Sequence, residues 1–128
     1  MVTKVVGIDP SERSARIARK RIAAAPFPIE IIGLSAEKIP VADTSFESIV
    51  STFTMCSIPD VAGALREMRR VLHPEGRLYF VEHALNRRIS QLITQAGFEI
   101  ERLEHDYLKG APKFAGFLYR GVAKRAAS

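Results

Sequence analysis

The run Val5-Val6-Gly7-Ile8-Asp9-Pro10-Ser11 is an apolar strand that ends on a carboxylate and passes at once into a helix start. An α/β sheet that binds a nucleotide presents a carboxylate to the two ribose hydroxyls in this way. Such a sheet carries a glycine-rich turn about 20 residues earlier, after its first strand, so that a helix start can approach the ligand closely. Only eight residues precede Asp9. The expectation is a chain that begins at the second strand of its fold, truncated at its N-terminus.

Downstream, strands and helices alternate, which predicts a mostly parallel sheet with helices on its faces. Lys4 to Ile8 reads as a strand, and Asp9 or Ser11 as the cap of a helix with Pro10 near its start. Ala15, Ala18, Ile22 and Ala25 share one side of that helix, and Pro26 and Pro28 stop it. Ile29 to Leu34 and Phe46 to Phe53 read as strands, with a turn at Ser35 to Pro40 between them. Pro59-Asp60 opens a helix whose Val61, Leu65, Met68 and Leu72 share a face. His73-Pro74-Glu75-Gly76 reads as the turn that ends it, before a strand over Arg77 to Glu82. Arg88 to Ala96 reads as a helix capped by Gly97. Phe98 to Leu108 and Phe114 to Lys124 read as an antiparallel hairpin around a loop at Gly110, with Phe114, Phe117 and Tyr119 in its core. The expected architecture is one α/β domain over residues 1–128, a Rossmann-like three-layer sandwich with a C-terminal antiparallel hairpin.

Composition bounds the function. The 128 residues are 47% hydrophobic and 26% charged, ordinary for a soluble globular domain. No apolar run approaches the roughly 18 residues of a bilayer span, and no signal peptide is visible. A single cysteine, Cys56, excludes an internal disulfide and suits a reducing cytoplasm. Three scattered histidines make no metal-ligand cluster. The net charge of +5 gathers at Arg13, Arg16, Arg19, Lys20 and Arg21, and again at Arg66, Arg69 and Arg70. No aromatic residues interleave to stack bases, so these read as solvated helix faces and no nucleic-acid partner is expected.

Three motifs in order carry a resemblance. They are Ile8-Asp9-Pro10-Ser11; Ser35-Ala36-Glu37-Lys38-Ile39-Pro40 followed by Asp43 to Val50; and Ile58-Pro59-Asp60 through Glu67-Met68-Arg69-Arg70-Val71-Leu72-His73-Pro74-Glu75-Gly76-Arg77-Leu78. With them the chain resembles the class I S-adenosylmethionine-dependent methyltransferases, in the branch called methyltransferase type 11, from Val5 to Val122. The resemblance implies S-adenosylmethionine as cofactor and a small-molecule or lipid-like methyl acceptor. Asp9 matches the residue that accepts from the ribose, flanked by Ile8 and Pro10. Ser35 and Ala36 match the pair beside the adenine. Ser51 and Thr52 match the strand exit near the sulfonium. Cys56 and Glu82-His83 fall where acceptors sit, and His83 is the imidazole placed to act as a base.

The resemblance also implies the strand order third, second, first, fourth, fifth, seventh, sixth. The first of these is missing here, which leaves a gap between the Lys4 and Phe46 strands. Those strands are expected either to close up and pair or to take a strand from a second chain as a homodimer. Ser35 stands where an acidic residue is usual, and Glu47 where Asp is usual.

Each position has an ordinary alternative. Asp9 also serves as a helix cap. Ser35 also serves as a turn cap. His83 also reads as a packing or loop histidine, Cys56 as a small buried hydrophobe, and Glu82 as facing either the cofactor or only the strand end. A methyltransferase and a non-catalytic remnant of its fold acting through protein contacts both stay open. A nicotinamide-dependent reductase is disfavoured, since no Tyr-x-x-x-Lys pair occurs.

Overall fold

A computed structural model describes residues 2–52, 54–55, 57–83, 89–107, 109 and 117–127. The elements alternate as the patterning implies: β1 (Val5–Ile8), α1 (Glu12–Ala24), β2 (Ile29–Ile32), β3 (Phe46–Thr52), α2 (Val61–Val71), β4 (Leu72–His83), α3 (Ile89–Gln95), β5 (Phe98–Tyr107) and β6 (Phe117–Arg125). β1 and β2 pair in parallel, as do β3 and β4, while β6 lies antiparallel between β4 and β5. Phe53, Cys56, Arg88, Leu108, Gly110 and Phe114, named in the sequence analysis, lie outside the described residues.

The strands form two sheets, not one. β1-β2 is a pair and β3-β4-β6-β5 a four-stranded sheet. Within each sheet the neighbouring strands are those the resemblance implies. β1 and β3 do not pair, so the expectation that they might close up is corrected.

Asp60 caps α2, its Oδ1 accepting from Gly63 N at 2.9 Å. Val61, Ala64, Leu65, Met68 and Val71 recur at helical spacing and are buried. Val61, Leu65 and Met68 meet Leu78 and Phe80 of β4 and Ile89 and Ile93 of α3 in one core. Burying each of the larger side chains contributes about 1.5–3 kcal/mol.

The turn expected at His73 to Gly76 is instead part of β4. The helix stops at Val71, and Leu72 already bridges Phe46; the register then jumps from that pair to Ser48 opposite Arg77. Four residues, His73 to Gly76, thus stand opposite Glu47 alone, an irregularity in the ladder that accommodates Pro74 without a ladder donor. Gly76 permits it, since a Cβ there would come within 2.6 Å of the Glu47 carbonyl. Gly97 ends α3 as expected, with φ 97° and its amide bonded to Thr94 O at 3.2 Å.

Only one face of β4 is covered. Leu78, Phe80 and Glu82 are buried on the α2 and α3 side, whereas Tyr79 is 42% exposed and its neighbour Val50 on β3 is 71% exposed. The side-chain period of two puts these residues on the opposite face, beyond the reach of either helix.

Candidate functional site at the carboxyl ends of the strands

Asp9 stands immediately beyond β1, half-buried, with its amide bonded to Ile32 O at 3.1 Å. The parallel pairing of β1 with β2 thus sets it beside the 33–36 turn. Asp9 Oδ1 accepts from Ser11 N at 2.9 Å, and Ser11, not Asp9, caps α1 through a bond from Ser14 N at 3.1 Å. The capping role weighed for Asp9 therefore falls to Ser11. Among the described residues no hydrogen bond reaches Asp9 Oδ2.

Ser35 and Ala36 are half-buried in the turn beyond β2. Ser35 Oγ accepts from Glu37 N at 3.4 Å, and Glu37 Oε1 accepts from Asp60 N at 3.3 Å. This brings the turn against the start of α2, which follows the exit of β3. The carboxyl ends of β1, β2 and β3 thereby share one side of the molecule.

The placement is fixed by a clamp. Glu67 Oε2 accepts from Ile39 N at 2.8 Å. Arg70 donates to Ile39 O and Val41 O, each at 2.8 Å, to Asp43 Oδ1 at 2.7 Å and to both Glu67 oxygens. The Arg70 guanidinium, followed by the Ile39 amide, holds the Glu67 carboxyl down to about 2. Two of the three motifs thus meet in space. Sequence reading found both and missed their contact; the signal was Glu67 three residues before Arg70 on one helix face.

A second polar knot lies at the exit of β3. Glu82 is fully buried. Its Oε1 accepts from Ser51 Oγ at 2.8 Å and its Oε2 from Met55 N at 3.2 Å, with the Thr54 amide also donating to it. Burial pushes the Glu82 carboxyl above its ordinary value, and these three donors together with neighbouring His83 pull it partly back. Ser51 spends its one proton on Glu82, so the Thr54 hydroxyl donates to Ser51 Oγ at 3.0 Å. Ser51 therefore holds the loop after β3 from inside, while Thr52 projects from the opposite face and is exposed. The direction of Glu82, open in the sequence, is inward. His83 ends β4 half-buried opposite Leu118, with its Nδ1 buried. Among the described residues no group of His, Cys, Asp and Glu could hold a metal ion, and no helix is long and apolar enough to cross a membrane.

A carboxylate and a polar turn thus lie beyond the carboxyl ends of parallel strands, the side on which open α/β sheets bind ligands. The family model Methyltransf_11, described as a methyltransferase domain, matches residues 1–80, and the chain belongs to that family. The cofactor this family implies is S-adenosylmethionine. The chain is 34% identical over 79 residues to a demethylmenaquinone methyltransferase of Listeria monocytogenes, covering 61% of this chain and 33% of that protein. It is 33% identical over 85 residues to the ubiquinone/menaquinone biosynthesis C-methyltransferase UbiE of Geotalea uraniireducens, covering 65% and 36% respectively. It thus spans about a third of the length of these curated relatives. Among solved structures, an S-adenosylmethionine-dependent methyltransferase of Methanosarcina mazei superposes with a TM-score of 0.79 at 18% identity, covering 98% of this chain and 83% of that one. At that identity the likeness is one of fold.

Proposed function

We propose that this chain is an S-adenosylmethionine-dependent methyltransferase domain, cytoplasmic, acting on a small, lipid-like acceptor of the quinone kind. Membership of the methyltransferase family is the observation that carries this reading. The names of the two bacterial relatives suggest the acceptor class.

The residues present fit the nucleoside half of the cofactor. Asp9, between Ile8 and Pro10, offers an oxygen that no hydrogen bond reaches among the described residues, as an acceptor for a ribose diol. Ser35 and the Ala36 amide supply a hydroxyl and a donor for the adenine edge. Thr52 lines the exit toward the sulfonium, on a loop that Ser51 and Glu82 hold in shape. The bound cofactor supplies an electrophilic methyl, and the chain's task is to hold the acceptor in line with it and exclude water. His83 is the proposed base for an acceptor hydroxyl; its Nδ1 is buried, so Nε2 is the nitrogen to receive the proton.

Calorimetry with S-adenosylhomocysteine tests the reading. Asp9→Ala should weaken binding by about 1.5–3 kcal/mol, as for a lost hydrogen bond to a charged acceptor. Equal affinity in the variant would remove Asp9 from the site. An absence of binding by the parent chain would favour the second reading, a non-catalytic member of the fold acting through protein contacts. One observation speaks for that reading: β1 and β3 each carry a strand edge without a partner strand among the described residues.

Those edges also support a homodimer of the 128-residue chain, in which each copy offers backbone donors and acceptors to the other. Sedimentation velocity should show a dimer growing with concentration. A single monomeric species at every loading would sink that assembly.

A further inference from the structure

We infer that α1 is a docking surface for an anionic lipid membrane. None of its residues is fully buried. Ala15, Ala18 and Ile22 rest half-buried against the domain, as their helical spacing requires. The opposite face carries Arg13, Arg16, Lys20 and Arg21, which stand four residues before, one before, three after and four after Ile17. At 100° per residue they encircle it. Ile17 is 72% exposed at the centre of that basic ring. Glu12, in the first turn, is the only acid of the helix, and among the described residues none of these four cations makes an ion pair. Like charges at helical neighbours repel, so the arrangement lowers the stability of the isolated chain. A negative surface turns that repulsion into attraction.

Charge complementarity points to a polyanion, and Ile17 selects the membrane among polyanions. A basic helix face with an apolar residue at its centre lies flat in a lipid interface, cations at the headgroups and the apolar side chain below them. A nucleic-acid backbone would leave Ile17 with no apolar surface to cover, and α1 has no aromatic side chain on which a base could stack. The basic patch at the far end of α2 does not compete. Arg69 there donates to Gly97 O and Ala126 O, Arg125 to Leu72 O, and Arg70 is spent in the clamp on residues 39–43.

The test uses the whole chain without cofactor, so it is independent of whether S-adenosylmethionine binds. The chain should sediment with phosphatidylcholine vesicles containing about 30% phosphatidylserine and stay in solution with phosphatidylcholine alone, the bound fraction falling as salt rises. Arg16→Glu with Lys20→Glu should weaken the partition at least about tenfold while leaving the circular dichroism unchanged, because both side chains point outward. The protein has no tryptophan, so Ile17→Trp supplies a single reporter whose emission should shift to the blue on anionic vesicles. Equal binding to neutral vesicles, an unshifted Ile17→Trp spectrum, or binding to a single-stranded RNA oligonucleotide but not to vesicles at the same salt would each overturn the inference.

Discussion

Glu82→Ala is expected to lower the stability of this domain by about 4 kcal/mol, a large part of what a single domain possesses. The substitution strands the buried Met55 amide and takes from the Ser51 hydroxyl its carboxylate acceptor, both aimed at a side chain that is fully buried. Each buried donor without an acceptor costs about 1–3 kcal/mol, and the vacated volume adds a cavity term. Relief of the buried charge recovers part of the loss. For a chain of this size the melting temperature should fall by roughly 12–16 °C. Glu82→Gln keeps the volume and one acceptor oxygen but turns an NH₂ toward a backbone N–H, so a loss of about 1–2 kcal/mol is expected. The pH dependence separates charge from shape. Burial raises the folded-state value of Glu82, so between the ordinary carboxylate value and that raised one the folded chain holds a proton the unfolded chain has lost. Stability from this group therefore falls as pH rises through that window, and Glu82→Gln should lack the fall. Thermal denaturation of Glu82→Ala within two or three degrees of the parent would show that the knot at the β3 exit does not hold the domain together.

Glu67→Gln should act with the opposite sign of pH. Glu67 is held to about 2 in the folded chain against an ordinary 4.5, and its side chain is 22% exposed. Its stabilisation is complete above about 4.5 and disappears as pH falls toward 2, because the unfolded chain takes up the proton first. Allowing for solvent screening, its size at neutral pH is on the order of 2 kcal/mol. Urea midpoints measured from pH 7 down to pH 3 should drop steeply in the parent and less in Glu67→Gln, the two curves converging at the acid end. The loss should also be local. The Ile39 amide, now bonded to Glu67, should exchange its hydrogen faster in the variant. Parallel pH profiles of parent and variant would mean that the clamp contributes nothing to folding.

These two carboxylates show where sequence reading succeeds and where it stops. The helix over Val61–Val71 was legible because Asp60 is a strong cap and the apolar residues recur at 3.6-residue spacing, both local properties. Gly97 was legible for the same reason: only a glycine adopts φ 97° without strain. The ladder irregularity at His73 to Gly76 was not. Pro and Gly mark a departure from regular backbone, and whether it becomes a turn or an irregularity within a strand depends on a partner strand some 27 residues away in sequence, Phe46 to Ser48.

Local chemistry alone placed Asp9, Ser35, Thr52 and His83 near strand ends, since each follows an apolar run whose period of two or buried character announces a strand. The same chemistry put Ala15, Ala18 and Ile22 on the inner side of α1. Contacts distant in the chain decided the rest. Ser51 looked equivalent to Thr52 until Glu82, 31 residues on, took its proton and turned it inward. Arg70 read as part of a solvated helix face until the 39–43 segment folded over it and Glu67. The residues Arg77 to Glu82 announced a strand, but only the packing of the helices decided that Phe80 is covered and Tyr79 open. The physical reason is the same in each case. Backbone propensity and hydrophobic period are carried by neighbours in sequence, whereas the partner of a buried charge and the covering of a sheet face are set by which segments the chain brings together.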